Sequence, residues 1–458
     1  MPNTLRLADN SYMRRFDVQS IIQFLYTMHS VEIVGYSNIG KSALMRLLAQ
    51  LDVWTQELGE AGREFLPIYI DCNRMLEMSD QGFYELVLRC LQESSDVLAR
   101  LPELSTSYES MVAPTNEFQV PLSFNRGLTA ALQSTKHRLI LLFDEFDEPF
   151  THITSRVFIN LRALKDRHGS KLAYVTATEQ PLIHRRQEDH CGEFCELFSH
   201  HLWQLAPLTR ADVERFVHRY MTAFDIYFTN VDIDFIYAWA GGHPRLLNGV
   251  CRVLEESLDQ AEATPRETQE RRKLHQQVEL CLTTDEELLV ECEKIWSRLA
   301  EPERVALLTL QQPRPQQNDT LLASLARQHL LFKVEGKYQP FCRLFLEFLK
   351  RKTPMASPTT GHLRVDAERR TVVVGGKPLE NLTNLEYRLI TLLYENHDKL
   401  IDKYEIVTNV WGESYIDEVD DARIEKLVSR VRQKIEVDPS APKLLTTVRG
   451  RGYKLTVE

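Results

Sequence analysis

The segment Val31-Glu32-Ile33-Val34-Gly35-Tyr36-Ser37-Asn38-Ile39-Gly40-Lys41-Ser42, continued by Ala43-Leu44-Met45-Arg46-Leu47-Leu48, constrains the fold more than any other stretch of the chain. It reads as an apolar strand, a G-x-x-x-x-G-K-S loop and a helix, which is the context that this spacing requires. Glycines at both ends, Gly35 and Gly40, let the loop curl so that backbone N–H groups point inward, at a helix N-terminus whose dipole favours anions. Such a loop holds phosphate. Lys41 is placed to bridge β- and γ-phosphates, and the Ser42 hydroxyl to ligate Mg2+.

Residues up to 208 alternate short aliphatic or β-branched runs with helical stretches, the pattern of a parallel sheet covered by helices. The candidate strands are Val31–Val34, Ile68–Cys72, Leu139–Phe143, Leu172–Thr176 and Leu202–Leu205. The third runs through Arg138-Leu-Ile-Leu-Leu-Phe-Asp-Glu-Phe-Asp-Glu148 and ends in acids. Asp144 at that strand end suits the hydration shell of Mg2+, and Glu145 suits a residue that polarises an attacking water. Taken alone, the two acids equally fit a solvated loop. Combined with the phosphate loop they predict binding of ATP or GTP, with ATP and Mg2+ as the expected ligands.

With these landmarks in place, the first 260 residues resemble the AAA-related P-loop ATPases, in particular the signal-transducing STAND class. The strand Ala173-Tyr-Val-Thr-Ala-Thr178 ends in hydroxyls, so the resemblance makes Thr176 or Thr178 a sensor of the γ-phosphate. Leu205-Ala-Pro-Leu-Thr209 is similar to the approach to that family's lid, and Ala240-Gly-Gly-His-Pro-Arg-Leu-Leu247 to its glycine-x-proline motif. The likeness implies that Pro244 lies near the base and that Arg245 senses phosphate; a surface arginine at a helix start is the plain alternative. Two departures stand out. Tyr36-Ser37-Asn38-Ile39 is not glycine-rich, and no arginine finger acting in trans can be assigned, which favours a slow switch over a ring-forming motor.

From Thr209 to about 272 the periodicity is helical, with Thr209 as N-cap ahead of acidic first turns, and reads as a small lid. Helices over Glu286–Leu299, Pro302–Leu310 and Thr320–Gln328, then Leu330–Val334, Glu335-Gly336-Lys337 and Tyr338–Phe341, suggest a winged-helix-like unit ending in a hairpin. Thr353-Pro-Met-Ala-Ser-Pro-Thr-Thr-Gly361 has no apolar period and reads as a linker. The expected class is multidomain α/β plus α+β. A P-loop NTPase core (1–208), a helical lid (209–275), a middle winged-helix domain (276–352), the linker (353–361) and a C-terminal winged-helix domain (362–458) follow in order. A chain of 458 residues exceeds what one core organises, in keeping with several units.

The formal net charge of −10 argues against a chain coated with nucleic acid, yet permits one basic face. Between residues 423 and 454 stand Arg423, Lys426, Arg430, Arg432, Lys434, Lys443, Arg449, Arg451 and Lys454, against Glu425, Glu436 and Asp438 only. On a helix from Asp421 to Glu436, Ile424, Val428, Val431 and Ile435 form one stripe, and Arg423, Lys426, Arg430 and Lys434 another. One face packs; the other is cationic. A helix of this kind fits a major groove, while Arg449-Gly-Arg451-Gly, with glycines 450 and 452 for the turn, can follow the adjacent backbone or minor groove of double-stranded DNA.

Those residues also carry a second resemblance. Leu363-Arg-Val-Asp, Thr371-Val-Val-Val-Gly-Gly-Lys-Pro-Leu, Leu382-Thr-Asn-Leu-Glu-Tyr-Arg-Leu-Ile, Val410-Trp-Gly412 and Thr447-Val-Arg-Gly-Arg-Gly-Tyr-Lys-Leu455 are similar, in order and spacing, to the OmpR/PhoB-type effector domain of bacterial response regulators. Lys426 stands where relatives often carry an aliphatic residue and Leu427 where they carry a polar one, so base preference is not inherited. No receiver domain with a phosphoacceptor aspartate precedes the domain, and the nucleotide module takes that place. The acids Glu413, Asp417, Glu418, Asp420 and Asp421 lie where the related family contacts RNA polymerase or neighbouring subunits; a solvated acidic loop fits equally.

The reading is a nucleotide-switched DNA-binding transcription regulator, with slow ATP hydrolysis and self-association as its expected companions. An ATP-driven DNA-remodelling factor of the replication or transposition initiator type, or a scaffold that binds nucleotide without hydrolysis, are the alternatives. The N-terminus lacks an apolar leader and no apolar run reaches membrane-spanning length, so a cytoplasmic protein without membrane contact is expected. Eight cysteines without paired spacing agree with that. His190, Cys191, Cys195, His200 and His201 cluster in sequence, but incidental cysteines explain them more simply than zinc does.

Overall fold

In the computed structural model the described residues are 5–6, 11–116, 118–186, 191–259, 268–310, 319–352, 363–366, 371–374, 377–379, 382–412, 419, 421–436, 442–448, 451–456. They form two compact units, Met1–Leu349 and Lys350–Glu458. The expected linker at 353–361 lies outside the described residues.

The first unit is built on a five-stranded sheet of order β2-β3-β4-β1-β5, with β1 Val31–Val34, β2 Phe65–Asp71, β3 Arg138–Asp144, β4 Leu172–Thr178 and β5 Leu202–Gln204. All pairings are parallel. Alternation along β3 shows why it is apolar throughout. Leu139, Leu141 and Phe143 join one core with Leu66, Ile68, Ile70 and Tyr174, while Ile140 and Leu142 join the other with Val31, Ile33 and Val175. Both faces are covered by helices, as a parallel sheet requires. The strand Phe65–Asp71 begins earlier than the expected Ile68, and Pro67 is paired within it, opposite Ile140. A proline is tolerated there because β2 is an edge strand.

Helices Arg210–Phe224, Asn230–Ala240, Pro244–Asp259 and Thr268–Thr284 follow, the last running unbroken across the expected boundary between lid and middle domain at 275/276. Thr209 caps the first, its side chain accepting from the Asp212 backbone, as its sequence position predicts. Thr229 caps the second in a box with Asp232, which is buried and paired with Arg271 at 3.0 Å and His275 at 2.8 Å. Next come helices Glu286–Ser297, Glu301–Thr309 and Asp319–Arg327, the antiparallel hairpin of β6 (Leu331–Val334) and β7 (Lys337–Pro340), and helix Arg343–Lys352. This middle segment packs on the helices Asn230–Ala240 and Pro244–Asp259. Leu288 lies against Gly249, and the Arg343 guanidinium sits 4.7 Å from the Trp239 ring centre.

The second unit has a three-stranded antiparallel sheet, β10-β9-β8, from Leu363–Asp366 (β8), Thr371–Val374 (β9) and Lys377–Pro378 (β10). Helices Asn384–Glu395, Lys403–Ile406 and Asp421–Ile435 come next, with a second sheet β11-β13-β12 from Leu400–Ile401 (β11), Leu445–Val448 (β12) and Gly452–Leu455 (β13). Ile424, Val428, Val431 and Ile435 are all buried, so the predicted apolar stripe is the packing face. Leu427 is buried with them, which gives its departure from a polar residue a packing cause.

No helix among the described residues is long and apolar enough to cross a membrane.

Candidate functional site

The carboxyl ends of β1, β3 and β4 meet at the phosphate loop. Gly35 N–H donates to Thr178 O at 3.1 Å, which ties the loop's first residue to the neighbouring strand. Asn38 and Gly40 turn the chain with φ of 57° and 107°, the second a conformation that favours glycine strongly. Helix Lys41–Leu48 starts immediately after. From the opposite side Arg14, itself buried, donates to Ile39 O at 2.6 Å and Ala206 O at 2.8 Å and so clamps the loop.

Lys41 is buried and its Nζ donates to Gly35 O at 2.7 Å. Burial pushes its pKa down to about 8 against the attraction of Asp147 and Glu145. A buried ammonium satisfied mainly by loop carbonyls is suited to an anion, because phosphate oxygens restore the solvation that burial removed. The Ser42 hydroxyl donates to Glu145 Oε1 at 3.2 Å. Asp144 is buried, accepts from the Tyr69 hydroxyl at 2.7 Å, and has its carboxyl raised by burial against its hydrogen bonds. Glu145 has φ of 52°, and this left-handed backbone aims its carboxylate at Ser42. The donor set of a lysine, a hydroxyl and two carboxylates fits a nucleotide polyphosphate and Mg2+.

A cavity of about 600 Å3 opens here, lined by Gly40, Lys41, Ser42, Glu145, Pro244 and Arg245 among others. The structure therefore gathers most of the residues singled out in the sequence. Gly35 and Asp144 stand outside the cavity's lining, and so does Thr178. It is fully buried, and its hydroxyl donates to Glu32 Oε1 at 3.3 Å, outside the cavity lining. Thr176 is buried as well. His243 has no assigned role in the sequence. It stacks on Tyr36 with ring centres 5.6 Å apart and meets Ser37 O at 3.2 Å, while burial pulls its pKa down to about 4. Arg219, Lys294 and Arg298 complete the cavity wall, and no local motif marks them.

In the second unit Arg423, Lys426 and Arg430 are exposed on one face of helix Asp421–Ile435. Lys434, the fourth member of that row, instead pairs with the buried Glu386 at 2.6 Å. Arg432 is turned to the hairpin, donating to Leu445 O at 2.9 Å and to the Thr447 hydroxyl at 2.7 Å. It thereby fixes helix and hairpin as one surface. Arg451 is exposed at the hairpin turn; Arg449 lies outside the described residues. Gly452 has φ of 134° and a β-carbon there would lie 2.1 Å from Ile401 O, so close strand approach as well as the turn demands glycine. Asp421 pairs with Lys403 at 2.6 Å; Glu413, Asp417, Glu418 and Asp420 lie outside the described residues.

Of the cysteine and histidine cluster, Cys191 and Cys195 are buried beside Phe194, and His201 stacks on His29. His190 lies outside the described residues, among which no group of three or more ligands could hold a metal ion.

Residues 376–455 match the family model described as "Transcriptional regulatory protein, C terminal". Sensory transduction protein RegX3 of Mycolicibacterium smegmatis is 39% identical over 95 residues, 21% of this chain and 40% of that protein. The chain thus spans 40% of the length of the curated relatives it matches first. Among solved structures, the Klebsiella pneumoniae RstA DNA-binding domain in complex with RstA box is 26% identical with a TM-score of 0.19, over 21% of this chain and 92% of that one. A Walker-type ATPase of Pyrococcus abyssi is 13% identical with a TM-score of 0.43, over 76% of this chain and 98% of that one.

Proposed function

From the premise that the C-terminal unit is an OmpR/PhoB-type winged-helix DNA-binding domain and the N-terminal sheet a P-loop fold, we propose that this chain is a nucleotide-controlled transcription regulator. The observation that carries the reading is the pairing, on one chain, of an exposed Arg423, Lys426 and Arg430 row with a loop whose buried Lys41 calls for an anion. Arg430 and its neighbours, with Arg449 and Arg451 on the hairpin, take bases and phosphates of duplex DNA. Lys434 supports that face through Glu386.

In the N-terminal unit Gly35, Gly40, Lys41 and Ser42 hold the polyphosphate of ATP, with Pro244 toward the base and Arg245 toward the phosphates. Ser42 and Asp144 would hold Mg2+, which would supply neutralisation of the polyphosphate charge. Glu145 then serves as the base that orients a water for slow hydrolysis. Thr178, turned to Glu32, supports the strand rather than the ligand. We assign 1–208 to the nucleotide core, 209–275 to the lid, 276–352 to a middle winged-helix domain and 362–458 to the DNA reader. Eight free cysteines, all but Cys281 buried, suit the reducing cytoplasm. Self-association and contact with RNA polymerase belong to the same reading.

Footprinting of the intact protein on genomic DNA tests the reading. Occupied sites clustered at promoters are the expected result. Sites confined to replication origins or to the ends of mobile elements would replace it with a DNA-remodelling role.

A further inference from the structure

Helix Glu286–Ser297 lies far from the phosphate loop in sequence, yet turns one row of side chains toward it. Glu291, Lys294 and its C-cap Arg298 are spaced three and four residues apart, hence stand on one face. Glu291 is 2% exposed and accepts from Asn38 Nδ2 through both oxygens, at 2.9 and 3.0 Å. Its Oε1 lies 3.7 Å from His243 Nε2. The helix is thus docked on the tip of the loop through a buried carboxylate.

Beyond that anchor, Lys294 and Arg298 reach the cavity that Lys41, Ser42 and Glu145 line. Arg298 pairs there with Glu179, the residue directly after β4, and its carbonyl accepts from Gln180 Nε2 at 3.3 Å. Glu179 has a second cation within reach, Arg185 at 3.9 Å, which itself binds Asp147 at 2.5 Å. Arg298 therefore shares its carboxylate partner, and its charge adds to the downward push on the Lys41 pKa. A phosphoryl group in front of Lys41 and Glu145 would offer Arg298 several oxygens in the planar geometry that a guanidinium prefers.

The geometry points to Arg298, with Lys294 beside it, as the residues that read the terminal phosphate of a nucleoside triphosphate, Arg298 exchanging Glu179 for that phosphate. This rests on the nucleotide reading given above and deepens it. Because Arg298 closes the helix that Glu291 docks on the loop, triphosphate and diphosphate differ in the hold they take on the middle segment. The lid arginines Arg219 and Arg245 contribute charge on another wall of the cavity.

Equilibrium titrations of the full chain with fluorescent ADP and a fluorescent non-hydrolysable ATP analogue, in Mg2+, test the assignment. Arg298→Ala weakens the ATP analogue about tenfold while ADP affinity stays within about twofold. Glu179→Gln, which frees Arg298, tightens the ATP analogue several-fold, a direction that damage to the fold would not produce. Equal losses for both nucleotides in Arg298→Ala, or an unchanged ratio, would overturn the inference while leaving the pocket intact. Failure of the wild-type chain to bind either nucleotide would instead remove the nucleotide reading, and this one with it.

Discussion

The phosphate cavity and the basic helix are both cationic, but they are made in opposite ways. Lys41 and Arg14 are buried, held by backbone carbonyls, and drawn together from positions before and after the loop. Arg423, Lys426 and Arg430 are exposed, lie within one helix, and owe their common direction to its period alone. Buried charge is costly unless answered, so each residue of the cavity carries a large share of its function and responds to pH. Exposed charge is solvated, so the helix works by summation and responds to salt.

On that contrast the largest effect belongs to the cavity. Lys41→Ala lowers affinity for an ATP analogue by about a hundredfold or more, measured by calorimetry, because a desolvated charge contact is lost. Retention of affinity within a few-fold would show that the loop does not hold phosphate. Arg14→Ala leaves Ile39 O and Ala206 O without their donor and costs about 2 kcal/mol of stability in a denaturant melt. By comparison Arg430→Ala leaves the melt unchanged, weakens duplex binding about tenfold and reduces the salt slope by about one.

A finer distinction comes from protons. Lys41 sits near 8 before ligand arrives, and a phosphate raises it, so binding above pH 8 takes up a proton that binding at pH 7 does not. Affinity for the ATP analogue accordingly falls as pH rises from 8 toward 10, and calorimetry in buffers of different ionisation heat reads the uptake, up to about one proton. DNA binding by the arginines of the helix shows no such uptake. The smallest effect is expected for Lys434→Ala, which costs about 1 kcal/mol of stability by stranding Glu386 and changes the salt slope less than Arg430→Ala does.

The same contrast separates what is legible in the amino-acid sequence from what only folding brings together. Features with a local period or a fixed spacing are legible: β1 at Val31–Val34, the Thr209 cap, the Ile424, Val428, Val431 and Ile435 stripe, and the loop with its paired acids. Asp144 and Glu145 stand at the end of β3 beside Ser42, where the strand pattern puts them. Side-chain direction at strand ends is not legible. Thr178 follows the alternation of β4 to Glu32, and only the β1 pairing reveals that partner. Lys434 belongs to the cationic row by period, yet a buried Glu386 from another helix captures it. Glu291, Lys294 and Arg298 look like any solvated helix face, since Asn38 and Glu179 approach them only through tertiary folding. Arg14 is equally silent in sequence, for its acceptors are carbonyls that any residue would supply.

The proposed control of the DNA reader by a nucleotide at the phosphate loop is most directly tested by a duplex titration of the intact chain at fixed salt, followed by fluorescence anisotropy. It is run without nucleotide, with ADP and with a non-hydrolysable ATP analogue, for wild type and for Lys41→Ala. Coupled units predict that duplex affinity or stoichiometry shifts at least about fivefold between nucleotide states in the wild type and not in the variant. Identical affinity, stoichiometry and salt slope in every state, with nucleotide demonstrably bound, would contradict it.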